Sequence, residues 1–307
     1  MASPRDLPVL PNLTVQQLEY LVAAADAPTR AASTASGLGV TPSALTQGLA
    51  ELERRVGLPL FERRGRQTLL RPDAAEVLAH ARRVVAATRD LARWAGARRT
   101  GTSGNVRLGT IDAVAVHHRA FAIRAFRTGH PDIDLHLTVA PSGQLLESLV
   151  RGDLDVAVLV RPADLPAEVI AEPLLDEPLL VYAPDDADVG TPATWGPWVA
   201  FPSGSHTRSV IATALAATGA RFEVVAESNQ PEVLREMVRL GLGWAVLPTA
   251  QAEPGAEPLV PARHEPIAVR QLVLAQRVDV PPDAAADALV EALRSNAVAP
   301  SRATSGH

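Results

Sequence analysis

Residues 41–66, TPSALTQGLAELERRVGLPLFERRGR, leave the chain little choice of local fold. Thr41 is a good N-cap, and Pro42 suits the first helical position, where its missing donor has no intrahelical partner. Leu45, Leu49, Leu52 and Val56 recur at i, i+4, i+7 and i+11, one apolar stripe on a helix that Gly57 ends. Opposite the stripe stand Ser43, Thr46 and Gln47, short hydrogen-bonding groups that suit either plain solvation or close approach to another surface. Residues 58–61 and 67–70 then flank ERRGR, with Gly65 near the tip, the pattern of a small β-hairpin bearing Arg63, Arg64 and Arg66. Upstream, Thr14-Val15-Gln16-Gln17 is a capping box that predicts a helix over 14–25, ended by Pro28. Residues 31–37 predict a second short helix with Leu38 inward, and Gly39-Val40 the turn into the third. Short helix, Gly-containing turn, helix is the helix-turn-helix arrangement, in which a groove-facing role for Ser43 outranks solvation.

Charge is distributed to match. The 307 residues carry a net charge of −5, yet residues 1–104 hold 14 Arg against nine acids and residues 105–307 hold 15 against 25. A basic head on an acidic body predicts a polyanion-binding module joined to a part that avoids polyanions. Every basic residue is Arg, which reflects the Ala- and Pro-rich bias of a GC-rich genome and says nothing about single sites. The absence of Cys excludes disulfides, thiolate metal sites and Cys nucleophiles. No apolar run is long enough to cross a bilayer, and MASPRDLPVLPN lacks the basic-then-apolar order of a signal peptide, so a cytoplasmic location is expected.

Pro72 opens a long helix predicted over 73–97, with Val77, Leu78, Ala81, Val84, Val85, Thr88, Leu91, Ala92 and Ala95 along one side. A stripe on a helix between domains has little of its own chain to cover, so pairing with a second copy is expected. RRTGTSGN, residues 98–105, reads as a hinge. Beyond it, the runs VRLGTI, IDLHLTVA, LDVAVLV, PLLVYAP, FEVVAE and GLGWAVLP alternate with helical stretches near 116–129, 142–151, 206–218, 229–240 and 283–294. That alternation predicts α/β architecture with mainly parallel sheets in two lobes, and a disordered tail.

The run from LEYLVAAA through TPSALTQGLAELERRVGLPLFERRGR to AEVLAHA resembles the winged helix-turn-helix of LysR-type transcriptional regulators. VRLGT, HPDIDLHL, LLESLVRGDLDVAVL and LGLGWAVLP are similar to that family's periplasmic-binding-protein-like effector domain, so the likeness spans roughly residues 14–295. The implied division is a DNA-binding head at 1–72, a linker and dimerisation helix with hinge at 73–104, and an effector domain at 105–300. Its first lobe is 105–165 plus 264–295, its second 166–263. The sequence departs from the family at Arg30, Ala31, Gly48, RPDAAE and His117-His118-Arg119. A Gly inside the recognition helix costs about 1 kcal/mol of propensity relative to Ala.

The resemblance implies a sequence-specific regulator that binds promoter inverted repeats as a homodimer or homotetramer, responds to a small-molecule effector and has RNA polymerase as a further partner. Thr41, Pro42, Ser43, Ala44, Thr46 and Gln47 are placed like the family's groove-facing residues, with Gln47 the best candidate for a bidentate base contact. Arg63, Arg64 and Arg66, with Arg54 and Arg55, suit phosphate and minor-groove contact. Effector contacts are expected at strand ends: Thr110, Asp112 and Ala113; Ser142; Val160 and Arg161; Phe201, Ser203, Ser205, His206, Thr207 and Arg208; Ser228 and Asn229; Leu247. Ser142 and Ser228 could equally cap helices. FPSGSHTRS places Gly and hydroxyls before a helix, a nest for an anion. With Arg161, His206 and Arg208 it favours an anionic effector; Asp112 would instead favour an ammonium group or pair with Arg161, and an apolar ligand is the alternative.

Catalysis is not expected. No GxSxG elbow, HExxH pair, GxGxxG or Walker loop occurs, so neither a metal nor a nucleotide cofactor is indicated. A solute-binding protein would account for residues 105–295 but leaves the basic head without use; a regulator acting without an effector is the other alternative.

Overall fold

The computed structural model describes residues 12–26, 31–64, 67–100, 104–255, 257–278 and 280–295, without side chains at 31–33, 63–68 and 97–100. They form two compact units that divide between Gly96 and Ala97, with Val150–Gly152 grouped with the first. Pro28, Gly65, Arg66 and the C-terminal tail lie outside the described residues.

The first unit begins with α1 (Val15–Asp26), and the capping box forms: Thr14 N–H donates to Gln17 Oε1 at 3.1 Å and Gln17 N–H to Thr14 Oγ1 at 3.2 Å. After α2 (Ala31–Gly37) comes α3 (Pro42–Val56), capped by Thr41 and closed by Gly57 in the left-handed conformation, φ 79°. The stripe of α3 divides its work. Leu45 packs with Tyr20 and Ala35 beneath the turn, while Leu52 joins Leu18, Leu21, Val22 and Leu60 in the main core. Strands β1 (Phe61–Arg64) and β2 (Gln67–Leu70) pair antiparallel from Phe61↔Leu70 to Arg64↔Gln67. Glu53 Oε1 anchors this hairpin to α3 by accepting from the N–H groups of Leu60 and Phe61.

A single 3-10 turn (Pro72–Ala74) leads into α4 (Ala75–Thr100), which runs past Arg98, where the sequence predicts a hinge. The expectation that its apolar side covers little of its own chain needs correction. Leu78, Ala81 and Val85 are buried in the core of the head, whereas Val84 and Leu91 are 43% and 63% exposed, as is most of Trp94. The ion pairs Arg82–Asp26 and Arg89–Glu19 hold α4 along α1.

The second unit runs β3 (Asn105–Thr110), a π-helical turn (Val114–His118), α5 (Ala120–Gly129), β4 (Asp134–Val139), α6 (Ser142–Val150), β5 (Val156–Val160), β6 (Val169–Tyr182), β7 (Trp198–Ala200), α7 (His206–Thr218), β8 (Val224–Glu227), α8 (Pro231–Arg239), β9 (Ala245–Pro248), α9 (Thr249–Ala252), β10 (Ala268–Arg277) and α10 (Ala284–Arg294). Its main sheet has the order β4-β3-β5-β10-β6-β9, and β7 and β8 form a second, parallel pair. The sheet is mixed, not mainly parallel as the sequence suggests. Strand β3 is parallel to β4 and β5, but β10 runs antiparallel to β5 and β6, and β6 antiparallel to β9. The reversal involves β6 and β10, long strands that pair with each other from Val169↔Arg277 to Leu179↔Ala268.

The candidate DNA-reading face and effector cleft

Helix α3 turns Thr41, Pro42, Ser43, Thr46 and Gln47 to the exterior, with Ala44 half-buried. Two of the hydroxyls are already committed. Thr41 Oγ1 accepts from Ala44 N–H at 3.2 Å, and Thr46 Oγ1 donates to the Pro42 carbonyl at 2.9 Å. Among the described residues, the Ser43 and Gln47 side chains have no such partner. They lie one turn apart on the same face, so an intact amide and a hydroxyl project together. Farther along α3, Arg54 and Arg55 both bond to Glu51, and these hydrogen bonds pull the Glu51 carboxyl from 4.5 to about 2. Arg63 and Arg64 are placed on β1 by backbone alone, and Arg66 lies outside the described residues.

Gly48 has a reason that the sequence does not show. A Cβ there would come within 2.5 and 2.6 Å of the buried Tyr20 ring. The glycine lets α1 and α3 approach through that ring.

In the second unit the strand-end residues divide into those joined by buried or part-buried hydrogen bonds and those that are not. Thr110 and Ala113 are fully buried, and the Thr110 hydroxyl donates to the Ile111 carbonyl. Ser142, at the start of α6, accepts from Val160 N–H at 3.1 Å; the Val160 carbonyl accepts from His206 Nδ1 at 3.2 Å, which fixes the proton on Nδ1. Asp112 Oδ2 accepts from Gln251 Nε2 of α9 at 2.9 Å, and burial raises its carboxyl above the ordinary range. Thr207 is buried and accepts from Arg270.

The remaining residues sit apart. Arg161 is exposed and donates to Gln271 Oε1; Arg208 pairs with Glu227, donates to the carbonyl of buried Phe201 and lies over the Phe222 ring. Ser203 and Asn229 are exposed, Ser205 heads α7 without a side-chain cap bond, and Ser228 Oγ accepts from Gln230 N–H. Buried Leu247 lies in β9, paired with Leu180 of β6. The three cations expected to serve an anion, Arg161, His206 and Arg208, thus have separate internal partners.

Where β6 and β10 pair lies a buried charged cluster that sequence reasoning missed. Arg270 of β10 and Glu177 of β6 are direct cross-strand neighbours, 3% and 1% exposed. Arg270 Nε donates to Glu177 Oε2 at 2.7 Å, Nη1 to Thr207 Oγ1 at 3.0 Å and Nη2 to Gln251 Oε1 at 3.3 Å. Glu177 Oε1 takes His118 Nε2 at 2.7 Å. Burial works to raise the Glu177 carboxyl, but the His118 hydrogen bond and the Arg270 charge outweigh it and hold the group below its ordinary value. The His117-His118-Arg119 departure is thereby explained at two positions: His118 reaches Glu177, and buried Arg119 donates to the Leu293 carbonyl at the end of α10. The available signal was a charge in the middle of an apolar strand run, DEPLLVY for Glu177 and AVRQLVL for Arg270.

Comparison with known proteins agrees with both units. The family profile "Bacterial regulatory helix-turn-helix protein, lysR family" matches residues 15–75, and "LysR substrate binding domain" matches residues 99–298. The HTH-type transcriptional regulator YfeR of Shigella flexneri is 27% identical over 292 residues, covering 92% of this chain and 94% of the relative. The HTH-type transcriptional regulator CbbR of Xanthobacter flavus is 33% identical over 251 residues, 77% and 73% of the two chains. Among solved structures, full-length CbnR complexed with its target DNA shares the fold at a TM-score of 0.57 and 20% identity, over 93% of this chain and 100% of that one. The chain belongs to the LysR family of transcriptional regulators.

Proposed function

We propose that this regulator reads dyad-symmetric promoter DNA through α3 and the β1–β2 wing, acts as a homo-oligomer, and changes its DNA binding when a small molecule enters between the lobes of the second unit. The observation that carries the DNA reading is the exposed face of α3, where Gln47 and Ser43 remain available while Thr41 and Thr46 are spent on the helix itself. An unengaged Gln amide can bond bidentately to N6 and N7 of adenine in the major groove, a discrimination worth about 1–3 kcal/mol. Division of the chain into a head at 1–72, a linker at 73–104 and an effector domain at 105–300 follows the same reading, as does RNA polymerase as a further partner.

Selection of sites from a random duplex pool tests it. Gln47→Ala is expected to relax preference at one or two positions of each half-site while leaving binding to unrelated duplexes unchanged. A selected sequence identical to that of the wild-type protein would overturn the assignment of Gln47.

A further inference from the structure

The reading helix and the wing are joined through one carboxylate. Glu53 follows Gln47 on α3, about 9 Å farther along the helix axis. Its backbone carbonyl accepts from the N–H of Gly57, which ends the helix. Its Oε1 accepts from Leu60 N–H at 2.7 Å and from Phe61 N–H at 3.2 Å, where β1 begins. Leu60 is fully buried, and its carbonyl accepts from Arg71 N–H at 2.9 Å just after β2. Both ends of the hairpin are therefore tied to Leu60, and Leu60 is tied to α3 by Glu53. The connecting residues Gly57, Leu58 and Pro59 are exposed. Burial of Leu60, with Phe61 and Leu70 packed part-way against the core, keeps the hairpin on the head. Apolar packing has no preferred direction, whereas an oxygen that accepts two successive N–H groups fixes an angle.

We infer that Glu53 is a positioning residue for DNA binding, whose carboxylate holds the wing at the angle to α3 at which both meet one duplex. The inference rests on the reading that α3 enters the groove while the wing meets phosphate. Base edges and phosphates lie on different parts of the duplex, so both sets of contacts form together only when the two elements are held at a matching distance and angle. Arg63 and Arg64 lie in β1 shortly beyond Leu60, and the paired strands carry any change of angle at Leu60 out to them. Glu53 acts without touching a nucleotide. Loss of its hydrogen bonds leaves α3 able to read bases but lets the wing swing away from the phosphates. Affinity common to all sequences then falls, while the preference among sequences stays.

Fluorescence anisotropy of the full-length Glu53→Gln and Glu53→Ala variants over a salt series tests the inference. Both remove the same negative charge, and only Gln keeps an oxygen that can accept from Leu60 and Phe61, so their difference reads the hydrogen bonds alone. Glu53→Gln is expected to keep the wild-type slope of log affinity against log salt. Glu53→Ala is expected to lose about one to two units of slope, equivalent to one or two phosphate contacts, and roughly tenfold in affinity for specific and unrelated duplexes alike. Its base preference in site selection should remain that of the wild-type protein. A role confined to stability would instead lower the melting temperature and the active fraction at an unchanged slope. Equal slopes for Glu53→Gln and Glu53→Ala therefore overturn the inference. Should Glu53→Ala not fold, Glu53→Asp takes its place against the wild type, because it keeps the charge on a side chain one methylene shorter. Replacing Arg63, Arg64 and Arg66 together by Gln separates the two levels of argument. A fall in slope there without one in Glu53→Ala overturns the positioning role alone, whereas an unchanged slope there removes the wing from the phosphates and overturns both.

Discussion

At Gly48 intrinsic propensity and packing give opposite answers. Propensity alone makes Gly48→Ala stabilising by about 1 kcal/mol. The new methyl, however, would stand 2.5 Å from a buried ring. Overpacking of this kind costs about 1–3 kcal/mol, so a net loss of stability is expected in denaturant melts, with recovery when Tyr20→Leu is added. The sequence showed the glycine but not its reason, because the ring that fills the notch belongs to α1. The same blindness hid Arg270 and Glu177, which are neighbours only across a strand pair. Removing one member of such a buried pair costs about 3–5 kcal/mol, so Glu177→Gln should be severely destabilised, and adding Arg270→Met should restore part of the loss. The pH dependence has a definite sign. Glu177 is held below its unfolded pKa, so its contribution is complete above that pKa and fades as pH falls through the lowered folded value. Asp112 is raised, so its penalty is absent below its unfolded pKa and grows as pH rises through the folded one. Asp112→Asn should therefore be more stable relative to wild type at neutral pH than in acid.

Whole elements were legible in proportion to the local signals that mark them. Helices α1 and α3 carry caps that any reader of the sequence can see, and both formed with those caps in place. Strand β7 has three residues, and β10 carries Arg270, Gln271 and Gln276 in a run without alternation, so neither announces itself. Helix α4 was found, but the partners of its apolar side could not be read from periodicity. Part of that side belongs to the head, and only the part around Val84, Leu91 and Trp94 remains outward. The distinction decides how dimerisation should be tested. Val85→Asp would bury a charge in the core and unfold the head, giving an uninformative loss of binding. Leu91→Asp with Trp94→Asp alters exposed positions, and should yield folded monomers in sedimentation velocity that no longer prefer an inverted repeat over a single half-site. A double variant that still sediments as the wild type places the interface elsewhere.

At the scale of the whole molecule, a protein with net charge −5 must bind a polyanion through a local excess of Arg. On the described part of the head that excess is partly masked, because Glu51 engages both Arg54 and Arg55. A phosphate must compete with that carboxylate, which stays ionised at any pH well above about 2. Glu51→Gln removes one negative charge from α3 and releases Arg54, while Arg55 keeps its bond to the Asn12 carbonyl. Phosphate contacts act on all sequences alike, and each adds close to one unit to the slope of log affinity against log salt. The variant should therefore bind specific and unrelated duplexes more tightly by a similar factor, with a steeper salt dependence and an unchanged ratio between them. Its thermal stability should fall only slightly, since exposed helix ion pairs contribute little. Fluorescence anisotropy over a salt series reads both quantities. A slope equal to that of the wild-type protein would show that Arg54 does not touch phosphate, leaving the head's electrostatic contact to its other Arg residues.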